Sequence, residues 1–218
     1  MKNKEFLVIG LGRFGASLAR TLVTMGHTVL GIDRDESIVQ RLSNDLTQTL
    51  ALDSTDEAAL KEIDAGSYGT AVVAIGQNFE ACLMTTVALK SAGVKYVVCK
   101  ATNTTHRDIL LRVGADKVAL PESEAGERHA HEISHPALVG QIVTRRDLCV
   151  GEVRVGSGFT NQTLSGINPL GRFSVNVVAI LRGKDLLYPV VGNTTLRMGD
   201  LLVSIGSAEN ISRFAENA

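Results

Sequence analysis

Three glycines stand close together in the segment Gly10-Leu11-Gly12-Arg13-Phe14-Gly15, between a hydrophobic run and an amphipathic stretch. In this GxGxxG pattern one glycine allows a tight turn, one lets the backbone approach a phosphate, and one permits close packing of a helix. The N–H groups at the start of that helix bind phosphate oxygens at the positive end of the helix dipole. The segment therefore predicts a site for nucleotide phosphate.

An acidic residue follows at the spacing that such a site requires. Asp33 ends the second hydrophobic run, eighteen residues after Gly15, where a carboxylate accepts hydrogen bonds from ribose hydroxyls. Arg34 could instead pair with a 2′-phosphate, but Asp33 in the same site would repel that group. The spacing therefore predicts a nucleotide with a free 2′-hydroxyl rather than NADP.

Polar or flexible residues end three further hydrophobic runs. They are Asp53-Ser54, Ile75-Gly76-Gln77 and Lys100-Ala101-Thr102. Because ligands of open α/β folds bind outside the carboxyl ends of the strands, these positions are expected at the same edge. Gly76 would allow close approach of a base or ribose. Lys100 follows the apolar KYVVC, and it either meets an anion or extends into water from the strand end.

The positive charge expected at this edge exceeds what a dinucleotide needs. Backbone N–H groups and a helix N-terminus can hold a pyrophosphate without a charged side chain. Arg13, Lys100 and His106 would add charge, and a guanidinium can donate two hydrogen bonds to phosphoryl oxygens. The pattern favours a nucleoside di- or triphosphate, with Arg13 on the terminal phosphate.

Catalytic residues do not stand out. A dehydrogenase needs a proton donor or acceptor near the nicotinamide and a substrate-binding half, and the sequence offers no clear candidate for either. His131 to His135 matches the zinc-peptidase motif HExxH, but Pro136 should end the helix there, and a third ligand is missing downstream. We predict a non-enzymatic protein. A small NAD-dependent oxidoreductase and a nucleotide sensor with a soluble partner are the alternatives.

Glu122 has two interpretations. It stands directly after Pro121 in the first turn of a predicted helix, where the helix dipole favours an acidic residue. A carboxylate near the phosphate edge could also complete a divalent cation site, because hard cations prefer oxygen ligands. The residues alone leave both interpretations open.

The elements that must position these residues alternate along the first part of the chain. Short β-branched runs and longer amphipathic segments predict a doubly wound, Rossmann-like α/β domain with a parallel sheet of six strands and five helices. Glycines at 26, 93 and 114 are expected to end three of the helices. The predicted strands are 6–10, 28–33, 49–52, 70–76, 95–101 and 116–120, and the predicted helices are 13–26, 35–44, 55–63, 78–93 and 103–114.

The second part of the chain predicts a small α+β domain. A connecting helix over 121–134 should stop before Pro136, and a short helix over 137–144 is expected next. The remaining segments predict strands at 149–155, 175–183, 186–191 and 201–206, a hairpin turn at Gly183-Lys184-Asp185, and a terminal helix at 209–218. We place the domains at 1–134 and 135–218.

Composition excludes several classes of function. The 218 residues carry a formal net charge of -1, so no basic surface for nucleic acid is expected. Cys82, Cys99 and Cys149 are far apart and have no metal-site spacing, which is typical of reduced core residues. No signal-peptide pattern and no apolar run of about 20 residues is found, so a cytoplasmic protein is expected.

The sequence resembles the regulator of potassium conductance family, also called RCK or KTN, whose members gate Ktr- and Trk-type potassium uptake systems. The resemblance covers nearly the whole chain, with a TrkA-N-type unit followed by a TrkA-C-type unit. The segments that carry it are VIGLGRFGASLARTLVTMGHTVLGID, VVAIGQNFEACLMTT, LPESEAG and TLRMGDLLVSIGSAENISRF.

The resemblance implies a cytoplasmic gating subunit that binds ATP, ADP or NAD(H). It also implies dimers that assemble into an octameric or tetrameric ring beneath a membrane-embedded potassium-translocating subunit, at the inner face of the cell membrane. The site residues it implies all belong to the predicted edge. They are Arg13 for the terminal phosphates; Asp33, Arg34 and Asp35 for the ribose; Asp53, Ser54, Ile75, Gly76 and Gln77 for the nucleoside; Lys100, Ala101, Thr102 and His106 for the phosphate side; and Glu122 for a divalent cation, Mg²⁺ or Ca²⁺.

A second ligand is implied for the C-terminal domain, because some family members bind cyclic di-AMP there. Asn168 and Arg172 fall near the expected loop, but Pro169-Leu170 stands where a basic residue would be expected. A plain connection from a helix to a strand explains the segment as well.

Overall fold

The computed structural model describes residues 3–134, 138–143 and 148–218. The chain divides into two compact units, Met1–Glu124 and Ala125–Ala218. The sequence predicts a domain boundary after residue 134, which is ten residues beyond the division between these units and coincides with the end of a helix. That boundary stays a prediction.

The first unit contains a parallel six-stranded sheet. Its strands lie in the order β3-β2-β1-β4-β5-β6, which is the doubly wound order of a Rossmann-like fold and confirms the predicted fold class. Ile9 lies opposite both Ile32 and Val73, so the carboxyl ends of three neighbouring strands meet at one edge. The strands are β1 (Glu5–Ile9), β2 (Thr28–Asp33), β3 (Gln48–Ala51), β4 (Thr70–Val73), β5 (Tyr96–Lys100) and β6 (Lys117–Ala119).

Helices cover both faces of this sheet, because its central strands are apolar on both sides. Leu7 and Ile9 lie in a core with Leu89 and Leu110, while Val8 lies in a separate core with residues of the first two helices. Burial of each large apolar side chain contributes roughly 1.5–3 kcal/mol. The helices are α1 (Arg13–Thr24), α2 (Glu36–Leu42), α3 (Glu57–Glu62), α4 (Phe79–Ser91) and α5 (Thr104–Arg112), with an additional 3₁₀ turn at Ala65–Ser67.

The second unit contains a five-stranded antiparallel sheet, which confirms the predicted α+β class. Its strand order is β10-β9-β11-β8-β7. The helix α6 (Pro121–Ser134) precedes it and crosses the boundary between the units. The elements that follow are β7 (Leu138–Val143), β8 (Leu148–Arg154), α7 (Leu164–Ile167), α8 (Pro169–Phe173), β9 (Asn176–Arg182), β10 (Asp185–Leu187), β11 (Leu201–Ser207) and α9 (Ala208–Glu216).

The short helix predicted over 137–144 is wrong where the structure describes it. Residues 138–143 form β7, which pairs antiparallel with β8. The backbone hydrogen bonds of a neighbouring strand outweigh weak helix propensity in an apolar segment of this length. The predicted strand at 186–191 is also too long, because β10 ends at Leu187 and Pro189 has no N–H group to donate to a ladder.

Three phenylalanines lie in contact in the core of the second unit. The ring centroids of Phe159 and Phe214 lie 5.1 Å apart, and those of Phe173 and Phe214 lie 5.3 Å apart. Nearby, Arg182 donates two hydrogen bonds to Asp200, at 2.9 and 2.8 Å, and the Asp200 side chain is only 2 % exposed. Over the described ranges, no helix is both long and apolar enough to cross a bilayer.

Candidate nucleotide-binding cleft

A cleft of about 470 Å³ opens at the carboxyl edge of the parallel sheet. It lies where β1 and β4 are neighbours, which is the point at which the strand order reverses and where ligands of such sheets bind. Its volume is within the range of small-molecule sites. The lining residues are Ile9, Gly10, Gly12, Asp33, Arg34, Leu52, Asp53, Ser54, Thr55, Ala74, Ile75, Gly76, Gln77, Asn78, Glu80, Ala81 and Met84.

The glycine loop meets each requirement of its pattern. Gly10 has φ +88°, and a Cβ there would lie 3.0 Å from the carbonyl carbon of Ala74. A Cβ on Gly15 would collide with the carbonyl oxygen of Gly10. A Cβ on Gly12 would meet nothing within 4 Å, so this glycine keeps the space in front of the helix open. The loop leaves room for a ligand at the start of α1.

The start of α1 differs from the starts of α2, α3, α4 and α5. No described side chain caps α1, whose N-cap residue is Gly12. Side chains accept hydrogen bonds from N–H groups at the starts of these four helices, namely Asp35 for α2, Asp56 for α3, Asn78 for α4 and Asn103 for α5. The first N–H groups of α1 thus stay available for an anion.

Asp33 is fixed beside this loop by backbone hydrogen bonds. Its Oδ2 accepts from the N–H of Leu11 at 2.7 Å, and its Oδ1 accepts from the N–H of Asp35 at 3.0 Å. The carboxylate therefore has a set position between the glycine loop and the end of β2. Arg34 also lines the cleft, whereas Asp35 does not, because its carboxylate accepts from Ser37 at the start of α2.

The end of β3 contributes a carboxylate and a backbone segment. Asp53 Oδ1 accepts from the N–H of Thr55 at 2.9 Å and from its hydroxyl at 2.7 Å. These hydrogen bonds hold the pKa of Asp53 below its ordinary value, so the group stays ionised. Ser54 is buried, and its hydroxyl is bonded to that of Thr85 at 2.8 Å. Ser54 therefore offers the cleft its backbone rather than its hydroxyl.

The first turns of α4 form a wall of the cleft that the sequence reasoning missed. Glu80, Ala81 and Met84 line it, and Met84 is 49 % exposed. These three positions share one helix face, since residues three and four apart are neighbours. The signal available in the sequence was the position of these residues in the first two turns of the helix that follows the Ile75-Gly76-Gln77 strand end.

A charged group lies next to the cleft rather than on its lining. Lys100 Nζ donates a hydrogen bond to Glu122 Oε1 at 2.6 Å, and it lies 5.7 Å from the centre of the Phe14 ring. The Lys100 side chain is 12 % exposed, so it does not extend into water. The hydrogen bond from Lys100 is the main reason that the pKa of Glu122 lies below its ordinary value, and the charge of Arg13 adds to this effect.

The remaining predicted residues surround this charged group or support it. Arg13 is exposed at the first position of α1, and Ala101 is buried. The hydroxyl of Thr102 lies 3.2 Å from His106 Nδ1, and the His106 ring stacks on Phe79 with centroids 3.8 Å apart. The structure thus brings part of the predicted set into the cleft. Outside its lining lie Arg13, Phe14, Gly15, Asp35, Lys100, Ala101, Thr102, His106 and Glu122.

The described side chains do not by themselves fit a divalent cation. No group of three or more His, Cys, Asp or Glu side chains among them could hold a metal ion. Glu122 offers one carboxylate, and Lys100 already neutralises it. His135 of the HExxH motif, and the side chains of His131 and Glu132, lie outside what the structure describes.

Both units of this chain match known protein families. The model of the TrkA-N domain matches residues 6–121, and that of the TrkA-C domain matches residues 150–218. The Ktr system potassium uptake protein C of Bacillus subtilis is 34% identical over 97% of this chain and 96% of its own length. The Ktr system potassium uptake protein A of the same organism is 29% identical over 98% of this chain and 96% of its own.

A solved structure, that of the GsuK channel bound to NAD, has a TM-score of 0.67. It is 16% identical and covers 96% of this chain and 38% of that channel, so this likeness concerns the fold alone. The family matches and the Ktr relatives cover both units. This chain belongs to the family of TrkA-N and TrkA-C domain proteins that includes the Ktr potassium uptake proteins.

Proposed function

We propose that this chain is the nucleotide-sensing regulatory subunit of a potassium uptake system. It binds ATP or ADP in the cleft of the first unit and switches a membrane-embedded potassium-translocating subunit between active and inactive states. The single observation that carries the nucleotide assignment is the uncapped start of α1 beside the fixed carboxylate of Asp33. The relatives named as potassium uptake proteins support the assignment of the transport process.

The geometry suggests an orientation for the nucleotide. Phosphates lie at the start of α1, the ribose hydroxyls bond to Asp33, and the base lies toward Asp53 and Met84. Arg13 and Lys100 are then on the phosphate side, where a guanidinium and an ammonium stabilise a di- or triphosphate tail. NAD and NADH share the ADP portion of this arrangement, and a channel of the same fold is described as bound to NAD.

Regulation requires that the nucleotide bind two states of the assembly with different affinity. We propose homodimers that assemble into an octameric or tetrameric ring at the inner face of the membrane, as the resemblance implies.

Glu122 would contribute one oxygen ligand to a divalent cation, whose other ligands the nucleotide phosphates or a second copy would supply. Cyclic di-AMP at the loop of Asn168 and Arg172 stays a prediction from the resemblance.

Replacement of Arg13 tests the nucleotide assignment. Loss of a charge-assisted contact costs about 1.5–3 kcal/mol, so Arg13→Ala should lower ATP affinity roughly 10- to 100-fold and change NADH affinity little. Isothermal titration calorimetry with ATP, ADP and NADH measures this. Arg20→Ala is the matched control, because Arg20 lies on the same helix and pairs with Asp45 away from the cleft.

Unchanged ATP affinity in Arg13→Ala, together with dominant NADH binding, would contradict this role of the arginine. Turnover of NADH with a small carbonyl substrate would instead support an oxidoreductase. The regulatory role is measured as nucleotide-dependent potassium uptake in cells that also express the multi-span translocating subunit of the same genome. Potassium uptake that does not depend on this chain would exclude the regulatory role.

A further inference from the structure

Lys100 lies between the cleft and Glu122. Its Nζ is 2.6 Å from Glu122 Oε1 on one side. On the other side it is 3.3 Å from the point where a Cβ on Gly76 would stand, and Gly76 lines the cleft. The ring of Phe14, next to the start of α1, lies below the ammonium at 5.7 Å. A phosphate on α1 would therefore approach an ammonium that already has a carboxylate partner.

The two partners of this ion pair are not equivalent. The Lys100 side chain is 12 % exposed, whereas that of Glu122 is 67 % exposed. A largely buried charge is unfavourable without a counter-ion, but an exposed carboxylate is readily solvated by water. Separation of the pair therefore leaves Glu122 solvated and requires another anion for Lys100.

A nucleotide phosphate can be that anion. Phosphate at the start of α1 would attract the ammonium and repel the carboxylate of Glu122. We propose that the Lys100–Glu122 ion pair selects nucleotides by their phosphate tail, because a tail that reaches Lys100 replaces Glu122 as its counter-ion. A nucleoside, or a tail that ends short of Lys100, leaves the pair intact. This selection rests on the nucleotide-binding function proposed above for the same cleft.

The exchange has a consequence for α6. Glu122 lies in the first turn of this helix, which leads from the first unit into the second. When a long phosphate tail binds, phosphate replaces Glu122 as the counter-ion of Lys100. The carboxylate of Glu122, at the start of α6, then loses its partner. The identity of the bound nucleotide is thereby converted into a change of charge pairing at that helix.

A double-mutant cycle tests the exchange. Glu122→Gln, Lys100→Gln, the double variant and the wild-type chain are titrated with adenosine, ADP and ATP in EDTA by calorimetry. Since Glu122 no longer competes, Glu122→Gln should bind ATP about three- to tenfold more tightly, with adenosine affinity unchanged. The gain in ATP affinity that Glu122→Gln produces should be at least threefold smaller when Lys100 is also replaced. Glu127→Gln, which removes an exposed carboxylate from the same helix, is the matched control and should bind ATP as the wild type does.

Other outcomes would overturn the exchange. An equal gain from Glu122→Gln with and without Lys100 would mean that Glu122 merely repels phosphate. Weaker ATP binding by Glu122→Gln in EDTA would mean that Glu122 holds Lys100 in place for the phosphate. Absence of ADP and ATP binding in the wild-type chain would instead refute the proposed function itself.

Discussion

In the glycine loop, the space available for a Cβ atom shows whether a glycine is required for folding or for ligand binding. Gly15 has no room for a Cβ because the carbonyl oxygen of Gly10 occupies that place, whereas Gly12 has open space in front of it. The same substitution at these two positions should therefore have different consequences. One position serves the packing of α1, and the other serves access to its N-terminus.

Gly15→Ala should destabilise the first unit by about 3 kcal/mol, because a backbone atom must move to accept the methyl group. Gly12→Ala should cost at most about 1 kcal/mol of stability and should lower ATP affinity at least roughly tenfold, because the methyl group enters the ligand's space. Thermal unfolding and calorimetry measure the two effects. A Gly12→Ala variant that binds ATP normally would place the phosphates elsewhere.

Local residues of the site could be predicted from the sequence, whereas side-chain partners could not. The spacing of the glycines and Asp33 follows from one strand, one turn and one helix, which the local pattern specifies. The pairing of Lys100 with Glu122 joins residues 22 positions apart, and it depends on how β5 and α6 lie in three dimensions. Sequence reasoning therefore placed both residues at the edge but assigned them separate partners.

At the scale of elements, the first unit followed the sequence pattern more closely than the second. Strands buried on both faces give continuous apolar runs that alternate with amphipathic helices, and this pattern is hard to mistake. In the second unit the apolar segment at 138–143 has no distinctive period, and its strand conformation comes from pairing with β8. The short helices α7 and α8 were missed, since four or five residues give too little periodicity.

The ion pair between β9 and the turn before β11 should make the second unit sensitive to acid. Burial raises the pKa of Asp200, but hydrogen bonds from Arg182 and from the N–H of Arg197 outweigh this effect. The pKa of Asp200 therefore lies below its ordinary value of 3.8. The stability that this carboxylate provides is present above that value and is lost as the pH falls through the lower pKa of the folded state.

Asp200→Asn should therefore lower the free energy of unfolding by about 2 kcal/mol at neutral pH, with a smaller difference below about pH 4. Urea unfolding at several pH values measures this dependence. Glu216→Gln is the control, since Glu216 is an exposed carboxylate on α9 of the same unit. A destabilisation by Asp200→Asn that does not change with pH would assign the effect to packing rather than to charge.

At the scale of the whole molecule, the candidate nucleotide site lies entirely within one of the two units. Every residue that lines the cleft lies between Ile9 and Met84, inside the first unit, whereas the three-phenylalanine core and the Arg182–Asp200 pair lie inside the second. Each unit has a buried apolar core of its own. The affinity for nucleotide should consequently depend on the first unit, and a defect in the second should appear in regulation.

Asp200→Asn provides the test of this division, because it weakens the second unit at a distance in sequence from every cleft residue. The variant should bind ATP within about twofold of the wild type by calorimetry at neutral pH, since mutations without shared partners act independently. In the same variant, nucleotide-dependent potassium uptake should decrease, because the proposed regulation requires both units to respond to the bound nucleotide. Gly12→Ala should show the opposite pattern of stability and affinity, with at most about 1 kcal/mol of stability lost and weak ATP binding. If Asp200→Asn instead lost ATP affinity as strongly as Gly12→Ala, the cleft would depend on the second unit and the division would be wrong.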